Sequence, residues 1–130
     1  MSNPDQQLEA AIVAAGANVA PRVTPGDVEA NIVSEFYFTA TDGVLGASEM
    51  GTRPAGRARH LDYLTFCVLI LRNGFTVTGE SACASPENFN AEIGKRIARS
   101  NALAKIWALM GYQLREQLYQ LEQQAGSVGA

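Results

Sequence analysis

A run of basic side chains between residues 95 and 105 has the clearest capacity for binding chemistry in this sequence. Lys95 and Arg99 are four residues apart and Arg96 and Arg99 are three apart, so on a helix all three side chains can converge. Guanidinium groups on a rigid element suit bidentate recognition of phosphate. The alternative is a solvated face in which Glu92 pairs with Lys95 or Arg96, although one carboxylate leaves a surplus of positive charge.

Glu80, in the stretch "VTGES", is the carboxylate best placed to act on a ligand. It could serve as a general base, bind a ribose hydroxyl or a base amino group, or pair with an arginine of the basic helix. Asn101 and Lys105 continue on an adjacent face of that helix and extend the set of polar candidates. No second carboxylate or histidine has a spacing that would pair with Glu80 for acid–base catalysis.

Other catalytic or metal-binding patterns are missing from the sequence. His60 is the only histidine and has no cluster of potential metal ligands around it. The short motifs of phosphate-binding loops, zinc proteases and serine hydrolases do not occur. We therefore expect a non-enzymatic protein with no catalytic residue, metal or cofactor.

A β-hairpin is the clearest element that would position Glu80. The strands are predicted at 63–71 and 75–81, and Asn73-Gly74 predicts a two-residue type I′ turn between them. That turn pairs Leu71 with Thr76 and Cys67 with Glu80. The pairing creates a core face of Phe66, Val68, Ile70, Phe75 and Val77. The opposite face carries Cys67, Leu69, Leu71, Thr76, Thr78 and Glu80, and it needs a cover from this chain or another subunit.

The basic residues are predicted to lie on the first of two C-terminal helices, 85–110 and 112–124. Ser85 is a suitable N-cap with Pro86 after it, and Gly111 is expected to end or bend the helix. An apolar stripe is predicted on the first helix from Phe89, Ile93, Ile97, Ala104 and Trp107. Leu114, Leu118 and Leu121 mark the second helix, and residues 125–130 are predicted to be a disordered tail.

The first half of the chain gives weaker signals. A short helix is predicted within 4–18, capped by Asn3 or Asp5, as part of an N-terminal helix and linker over 1–27. A strand is predicted near 31–39. Residues 41–60 read as a long loop carrying Arg53, Arg57 and Arg59. Together the elements predict an α+β fold, with an antiparallel sheet packed against C-terminal helices.

Length and composition restrict the class of protein. The chain has 130 residues, a length that fits a single domain. Its net charge is −3 and its pI is near 5.1. An acidic balance argues against nucleic-acid binding, although eight of the ten basic residues lie between Arg53 and Lys105. No stretch resembles a secretory signal or a membrane span. We expect a cytosolic protein in which Cys67 and Cys83 are free thiols.

The segment "LTFCVLILRNGFTVTGESACASPENFNAEIGKRIARSNALAKIW", followed by "GYQLREQL", resembles a family of small bacteriophage and prophage proteins of unknown function. The resemblance covers residues 61–118 and implies a phage origin and expression in the cytoplasm of a bacterial host. A sheet followed by C-terminal helices also resembles the phage sponges that sequester nucleotide signals in anti-Thoeris and anti-CBASS defence. That resemblance implies a homo-oligomer that holds a small phosphorylated nucleotide between its subunits.

Two functions follow as expectations. In the first, the protein sequesters a phosphorylated, cyclic nucleotide immune signal and so inhibits host anti-phage defence. Its ligand-binding residues would be Arg96, Arg99 and Lys105 on phosphate, Glu80 and Asn101 on ribose or base, Phe89 or Trp107 stacking, and Arg57 joining from the loop. In the second, the protein inhibits a host protein by direct contact through residues 41–60 and the C-terminal helix.

Overall fold

The computed structural model describes residues 3–48 and 56–128. The chain divides into a sheet unit, Ile32–Lys105, and a helical unit, Met1–Asn31 with Ile106–Ala130. The described α-helices and strands are α1 (Pro4–Ala14), α2 (Pro25–Ala30), β1 (Ile32–Thr39), α3 (Ala40–Ala47), β2 (Leu64–Leu71), β3 (Thr76–Ala82) and α4 (Ala91–Val128), and 3₁₀ helices occupy Gly56–Tyr63 and Pro86–Asn88.

The sheet unit contains a three-stranded antiparallel sheet in the order β1-β2-β3. The predicted α+β fold is confirmed, since the sheet packs against the C-terminal helix. β1 pairs with β2 through partners such as Phe36 with Val68 and Thr39 with Thr65, and the register shifts between Ile32 and Ser34.

The hairpin between β2 and β3 differs from the prediction by one residue. The Leu71 amide donates to the Phe75 carbonyl at 2.8 Å, so the loop has three residues rather than two. Gly74 has a φ of 89°, whereas Asn73 does not adopt positive φ. This is the three-residue loop in which a turn is followed by a left-handed glycine. Cys67 therefore pairs with Gly79 rather than with Glu80.

The one-residue shift moves the β2 side chains to the faces opposite to those predicted, whereas β3 keeps its predicted inner face, since Val77 is buried as expected. The buried face is the one that carries Cys67, Leu69 and Leu71, whereas Phe75, assigned to the core from the sequence, is 54% exposed. α4 provides the cover, and it approaches closely at Gly79. A Cβ on Gly79 would overlap the carbonyl oxygen of Ala98 and the amide nitrogen of Ala102.

Small residues of α4 make this approach. Gly94, Ala98 and Ala102 repeat at four-residue spacing, and all three are buried. The predicted stripe is wrong in this part of the helix, because Ile93 and Ile97 are 51% and 47% exposed. At its start the helix therefore places small side chains against the sheet and leaves Ile93 and Ile97 at the surface, whereas Ile106, further along, is fully buried.

The other face of the sheet is partly open. Phe38 and Phe66 stack on it with ring centroids 5.5 Å apart, and Phe38 lies against Gly43 of α3. Phe36 is 54% exposed on the same face, next to its half-buried partner Val68. This face was predicted to be the core and is instead only partly covered.

The C-terminal segment is one helix rather than the predicted two. α4 continues through Gly111, and its first turn is capped by Asn90, whose side chain accepts from the Ile93 amide at 3.0 Å. Ser85 precedes the 3₁₀ helix at Pro86–Asn88 and makes no side-chain cap. Residues 125–128, expected to be disordered, belong to α4.

Residues 41–60, predicted to be a loop, contain most of α3 and the start of the 3₁₀ helix Gly56–Tyr63. Thr39 caps α3 by accepting from the Asp42 amide at 3.1 Å, while the Asp42 carboxylate accepts from the Thr39 amide at 2.9 Å. The Thr41 hydroxyl donates to Asp62 at 2.5 Å and joins the two helices.

The helical unit begins with α1, and the predicted cap at Asn3 is confirmed by its bond from the Gln6 amide at 2.7 Å. α2 starts at Pro25, inside the predicted linker, and is capped by Thr24 with Asp27. Arg22 pairs with Glu9 of α1 at 2.7 Å and lowers the pKa of that carboxyl. Across residues 3–48 and 56–128, no helix is both long enough and apolar enough to cross a membrane.

Candidate functional site

Three of the predicted ligand-binding residues meet where β3 passes under α4. We call Thr78, Glu80, Asn101 and Lys105 the β3-edge cluster. The Asn101 amide donates to the Glu80 carbonyl at 2.8 Å, and the Lys105 ammonium donates to the Thr78 hydroxyl at 3.4 Å. Thr78 in turn donates to the Glu80 carboxylate at 3.3 Å. The close approach of the helix at Gly79 brings the side chains of α4 within hydrogen-bond distance of β3.

The β3-edge cluster brings several polar groups together at the surface. Glu80, Asn101 and Lys105 are all exposed, and the cluster offers one carboxylate, one amide and one ammonium. A carboxylate accepts hydrogen bonds from hydroxyl or amino groups, and an ammonium binds phosphate as a point charge. Among the described residues, no histidine or second carboxylate hydrogen-bonds to Glu80, and general acid–base chemistry needs such a partner or a substrate at hydrogen-bond distance.

The cations predicted to converge have three different environments. Arg99 forms an ion pair with Glu35 of β1, with its Nε 2.5 Å from Oε1. Lys95 pairs with Glu92 at 3.5 Å, as the alternative reading of the sequence expected. Arg96 is exposed and makes no ion pair with a described residue. Arg96 is therefore the cation of this group that is most available to an external anion.

A cavity of about 130 Å³ opens where the end of β3 meets the start of α4. Tyr63 and Phe89 lie in it as a tilted aromatic pair, with ring centroids 5.5 Å apart. The Cys83 thiol donates to the Ser85 carbonyl at 3.1 Å beside it. The lining is completed by small, polar and aliphatic residues, namely Ser81, Ala82, Asn88, Asn90, Ile93, Gly94 and Ile97.

Local structure explains how the cavity forms. The Cys83 amide donates to the Tyr63 carbonyl at 3.1 Å, which holds the chain after β3 beside the aromatic ring. The 3₁₀ helix Pro86–Asn88 then presents Phe89 toward Tyr63, and Asn90 starts α4. Phe89 is thus the one predicted ligand-binding residue that lines the cavity.

Trp107 and Arg57 complete the predicted ligand-binding residues. Trp107 is half-buried in the helical unit, and its stacking role stays a prediction. Arg57 belongs to the 3₁₀ helix Gly56–Tyr63, but its side chain lies outside the described part of the chain, as does all of Arg53. Arg59 and His60 are exposed. The described residues contain no group of three potential metal ligands.

The two cysteines are free, as predicted. Burial raises the pKa of the Cys67 thiol, and a hydrogen bond with Tyr37 opposes that shift in part. Burial also raises the pKa of Tyr37 to about 12. A buried thiol with a raised pKa is a poor nucleophile, so this pair has a structural role.

Sequence reasoning missed most of the cavity. Tyr63, Ser81, Asn88 and Asn90 were not proposed as functional residues. The signal that could have found them is the run "NFN" at 88–90, which places two amides around an aromatic side chain before a helix. Such a run matters only if another aromatic residue lies opposite, and that depends on the tertiary fold.

A family model for the "Phage protein (N4 Gp49/phage Sf6 gene 66) family" matches residues 23–118, which is more than half of the chain. The chain belongs to this phage protein family. The match includes the segment 61–118 on which the sequence resemblance rests, and it extends to β1 and α2. No curated protein matches the chain, and no solved structure matches it. Membership of the Gp49/gene 66 family establishes a phage protein.

Proposed function

We propose that this Gp49/gene 66 family protein is a non-enzymatic binding protein that sequesters a phosphorylated cyclic nucleotide used as a signal in host anti-phage defence. The observation that carries the proposal is the cavity lined by Tyr63, Phe89 and two asparagine amides. It combines a ring-sized space with groups that can read the edge of a base. The protein would act in the cytoplasm of the bacterial host.

The size and lining of the cavity support a ring-shaped ligand group. A cavity of about 150 Å³ accommodates benzene in a well-studied engineered protein, so about 130 Å³ suits a single ring or part of a purine. Phe89 and Tyr63 offer aromatic surfaces for stacking. Asn88 and Asn90 can donate to base nitrogen and oxygen atoms, as asparagine does when it reads adenine.

Arg96 supports the binding of a phosphate next to that ring. It lies three residues from Ile93, which lines the cavity, so the two side chains are neighbours on the helix surface. The start of α4 at Asn90 adds the partial positive charge of a helix N-terminus. Lys105, Asn101 and Glu80 would bind a second phosphate or a ribose at the β3-edge cluster, and Arg99 would join them by exchanging Glu35 for phosphate.

The test is a binding screen in which the ligand is recovered. The 130-residue protein is heated with cyclic di- and trinucleotides and cyclic ADP-ribose isomers while its melting temperature is followed, and the small molecule is then recovered by denaturation. Stabilisation with intact release supports the proposal. Release of an altered molecule would identify an enzyme, and no shift with any nucleotide would reject nucleotide binding.

Matched variants assign the site. Phe89→Ala should remove the rise in melting temperature that the nucleotide causes. Phe75→Ala removes an exposed phenylalanine outside the cavity lining and should preserve that rise. Arg96→Gln should weaken binding by about tenfold or more, as expected for one charge-assisted phosphate contact. Arg115→Gln makes the same change further along α4 and is the control.

A second function is favoured by the open face of the sheet. Phe36 and Phe38 are 54% and 38% exposed, which is a larger apolar surface than isolated exposed residues create. A host protein inhibited by direct contact would bind there. Stoichiometric recovery of a host partner that Phe36→Ser abolishes would favour this function over nucleotide binding.

A further inference from the structure

Asn90 lines the cavity at the start of α4, and hydrogen bonds fix the orientation of its side chain. Its Oδ1 accepts from the Ile93 amide at 3.0 Å, and its main-chain carbonyl accepts from the Gly94 amide at 2.9 Å. Rotating the side-chain amide by half a turn would set its NH₂ group against the Ile93 N–H, donor against donor. Nδ2 makes no hydrogen bond to another residue within 3–48 and 56–128. The side chain of Asn90 therefore offers a ligand a group that can only donate.

Main-chain acceptors beside the cavity are already engaged. The Tyr63 carbonyl accepts from the Cys83 amide at 3.1 Å. The Ser85 carbonyl accepts from the Asn88 amide at 3.0 Å and from the Cys83 thiol at 3.1 Å. The remaining polar side chains of the lining are two hydroxyl groups and the Asn88 amide, which can donate or accept and so select neither kind of partner. The Nδ2 donor of Asn90 is thus the polar group that distinguishes one base from another.

The volume of the cavity limits the number of rings that it can hold. About 130 Å³ is close to the roughly 150 Å³ that encloses one benzene ring in an engineered protein. A pyrimidine fills such a space with its single ring. A purine leaves one of its two rings outside and buries a smaller share of its apolar surface.

A uracil ring satisfies both the donor and the volume. It carries a carbonyl oxygen on each side of its ring N–H, so either orientation of the ring presents an acceptor to Asn90. Cytosine has an amino group in place of one of these oxygens, and adenine has an amino group and no carbonyl. An amino group set against Nδ2 leaves two donors without partners. Asparagine reads adenine through Oδ1 and Nδ2 together, and the Ile93 amide occupies the Oδ1 of Asn90.

We infer that Asn90 determines base specificity and that the cavity selects uracil within the cyclic nucleotide of the proposed function, on which this inference rests. The phosphate contact of Arg96 is common to all nucleotides and takes no part in the selection.

Four ligands that differ only in their bases test the selection, namely cyclic di-UMP, cyclic di-CMP, cyclic di-AMP and cyclic di-GMP. Each carries one kind of base, so the base that enters the cavity is known. Calorimetric titration of the 130-residue protein should show cyclic di-UMP binding at least about tenfold tighter than each of the other three.

Failure of this inference is distinguishable from failure of the proposed function. Equal or tighter binding of a cytosine or purine ligand would overturn the selection of uracil and leave nucleotide binding in place. Absence of binding by all four would also overturn it, and the wider screen with trinucleotides and cyclic ADP-ribose isomers then decides the proposed function separately.

Asn90→Asp tests the residue itself, because it reverses the hydrogen-bonding sense and keeps the helix cap. One carboxylate oxygen still accepts from the Ile93 amide, and aspartate caps a helix as well as asparagine does. The other oxygen accepts where Nδ2 donated. The preference for cyclic di-UMP over cyclic di-CMP should disappear or reverse. The added negative charge weakens the two ligands alike and leaves their ratio of Kd values unchanged.

Asn3→Asp is the matched control. Asn3 caps α1 by the same kind of bond, with its Oδ1 2.7 Å from the Gln6 amide, and it lies outside the cavity lining. This variant should keep the wild-type preference for uracil. An Asn90→Asp protein that keeps the same preference would overturn the role of Asn90.

Discussion

Gly79 fixes the distance between the sheet and α4. Its missing side chain allows the helix backbone at Ala98 and Ala102 to lie against β3, where a Cβ would overlap main-chain atoms that cannot move independently. Gly79→Ala should therefore lower the free energy of unfolding by about 3 kcal/mol or more. Urea denaturation measures the change.

The control for this substitution is Gly46→Ala in α3, where a Cβ would meet nothing within 4 Å. It should be neutral or stabilise the protein by up to about 1 kcal/mol, because alanine favours the helix. Equal effects of the two substitutions would contradict the close packing at Gly79.

Tyr37 makes stability sensitive to alkaline pH. Its pKa rises from 10.0 to about 12 because burial disfavours the ionised ring. The unfolded chain loses the proton first, so this contribution is complete below pH 10 and is lost as the pH rises toward 12. The raised pKa of Cys67 acts in the same direction. Tyr37→Phe should flatten the fall in unfolding free energy over this range, and Tyr112→Phe, at an exposed position, should not.

The ion pair between Arg99 and Glu35 joins α4 to β1 across the sheet. Both side chains are partly exposed, so the pair should contribute only about 0.5–1 kcal/mol. Arg99→Gln and Glu35→Gln should each lower the melting temperature slightly, and the double variant should be less destabilised than the sum of the two. Strict additivity in a double-mutant cycle would show that the pair contributes nothing.

At the level of elements, the start of α4 depends on Asn90 rather than on Ser85. The Asn90 side chain accepts from the Ile93 amide, whereas Ser85 caps nothing with its side chain. Asn90→Ala should cost about 1 kcal/mol of stability and Ser85→Ala should cost little. Thermal unfolding of the two variants measures the stability that each cap contributes. A larger loss of stability from Ser85→Ala than from Asn90→Ala would show that the helix is capped at Ser85, as the sequence predicted.

Some sequence signals were sufficient to locate the strands and the turn, but not to fix how the strands pair. Alternating β-branched and aromatic residues located all three strands, and Asn73-Gly74 located the turn. The dipeptide did not fix the loop length, because a glycine with positive φ serves both two- and three-residue hairpins. That single ambiguity reversed the two faces of β2, whereas Val77 of β3 was correctly assigned to the core. The helix after β1 was missed because Gly43 and Gly46 outweighed the Thr39–Asp42 capping box.

The candidate site was predictable only in part for a similar reason. The sequence identified both β3, which carries Glu80, and α4, which carries Asn101 and Lys105. The contacts among these elements then bring the three residues together. The arginines did not converge, because Glu35 on a distant strand holds Arg99. Helical spacing gives the neighbours of a side chain on its own helix and says nothing about partners that the fold brings from elsewhere.

At the level of the whole molecule, the family membership shows a phage protein, and the proposal of a small ligand rests on the cavity alone. The net charge of −3 remains unfavourable for binding along DNA or RNA. A nucleotide ligand differs from a polynucleotide in needing only one or two cations, which Arg96 and Lys105 would supply under the proposed function.

The most direct test of this account is the calorimetric titration of the protein, and of Phe89→Ala and Phe75→Ala, with the nucleotide that gives the largest thermal shift. We expect saturable binding to the wild type and to Phe75→Ala, with binding to Phe89→Ala lost or weakened at least about tenfold. Equal binding by all three proteins would place the ligand outside the cavity. Absence of binding by any nucleotide would contradict the proposed function.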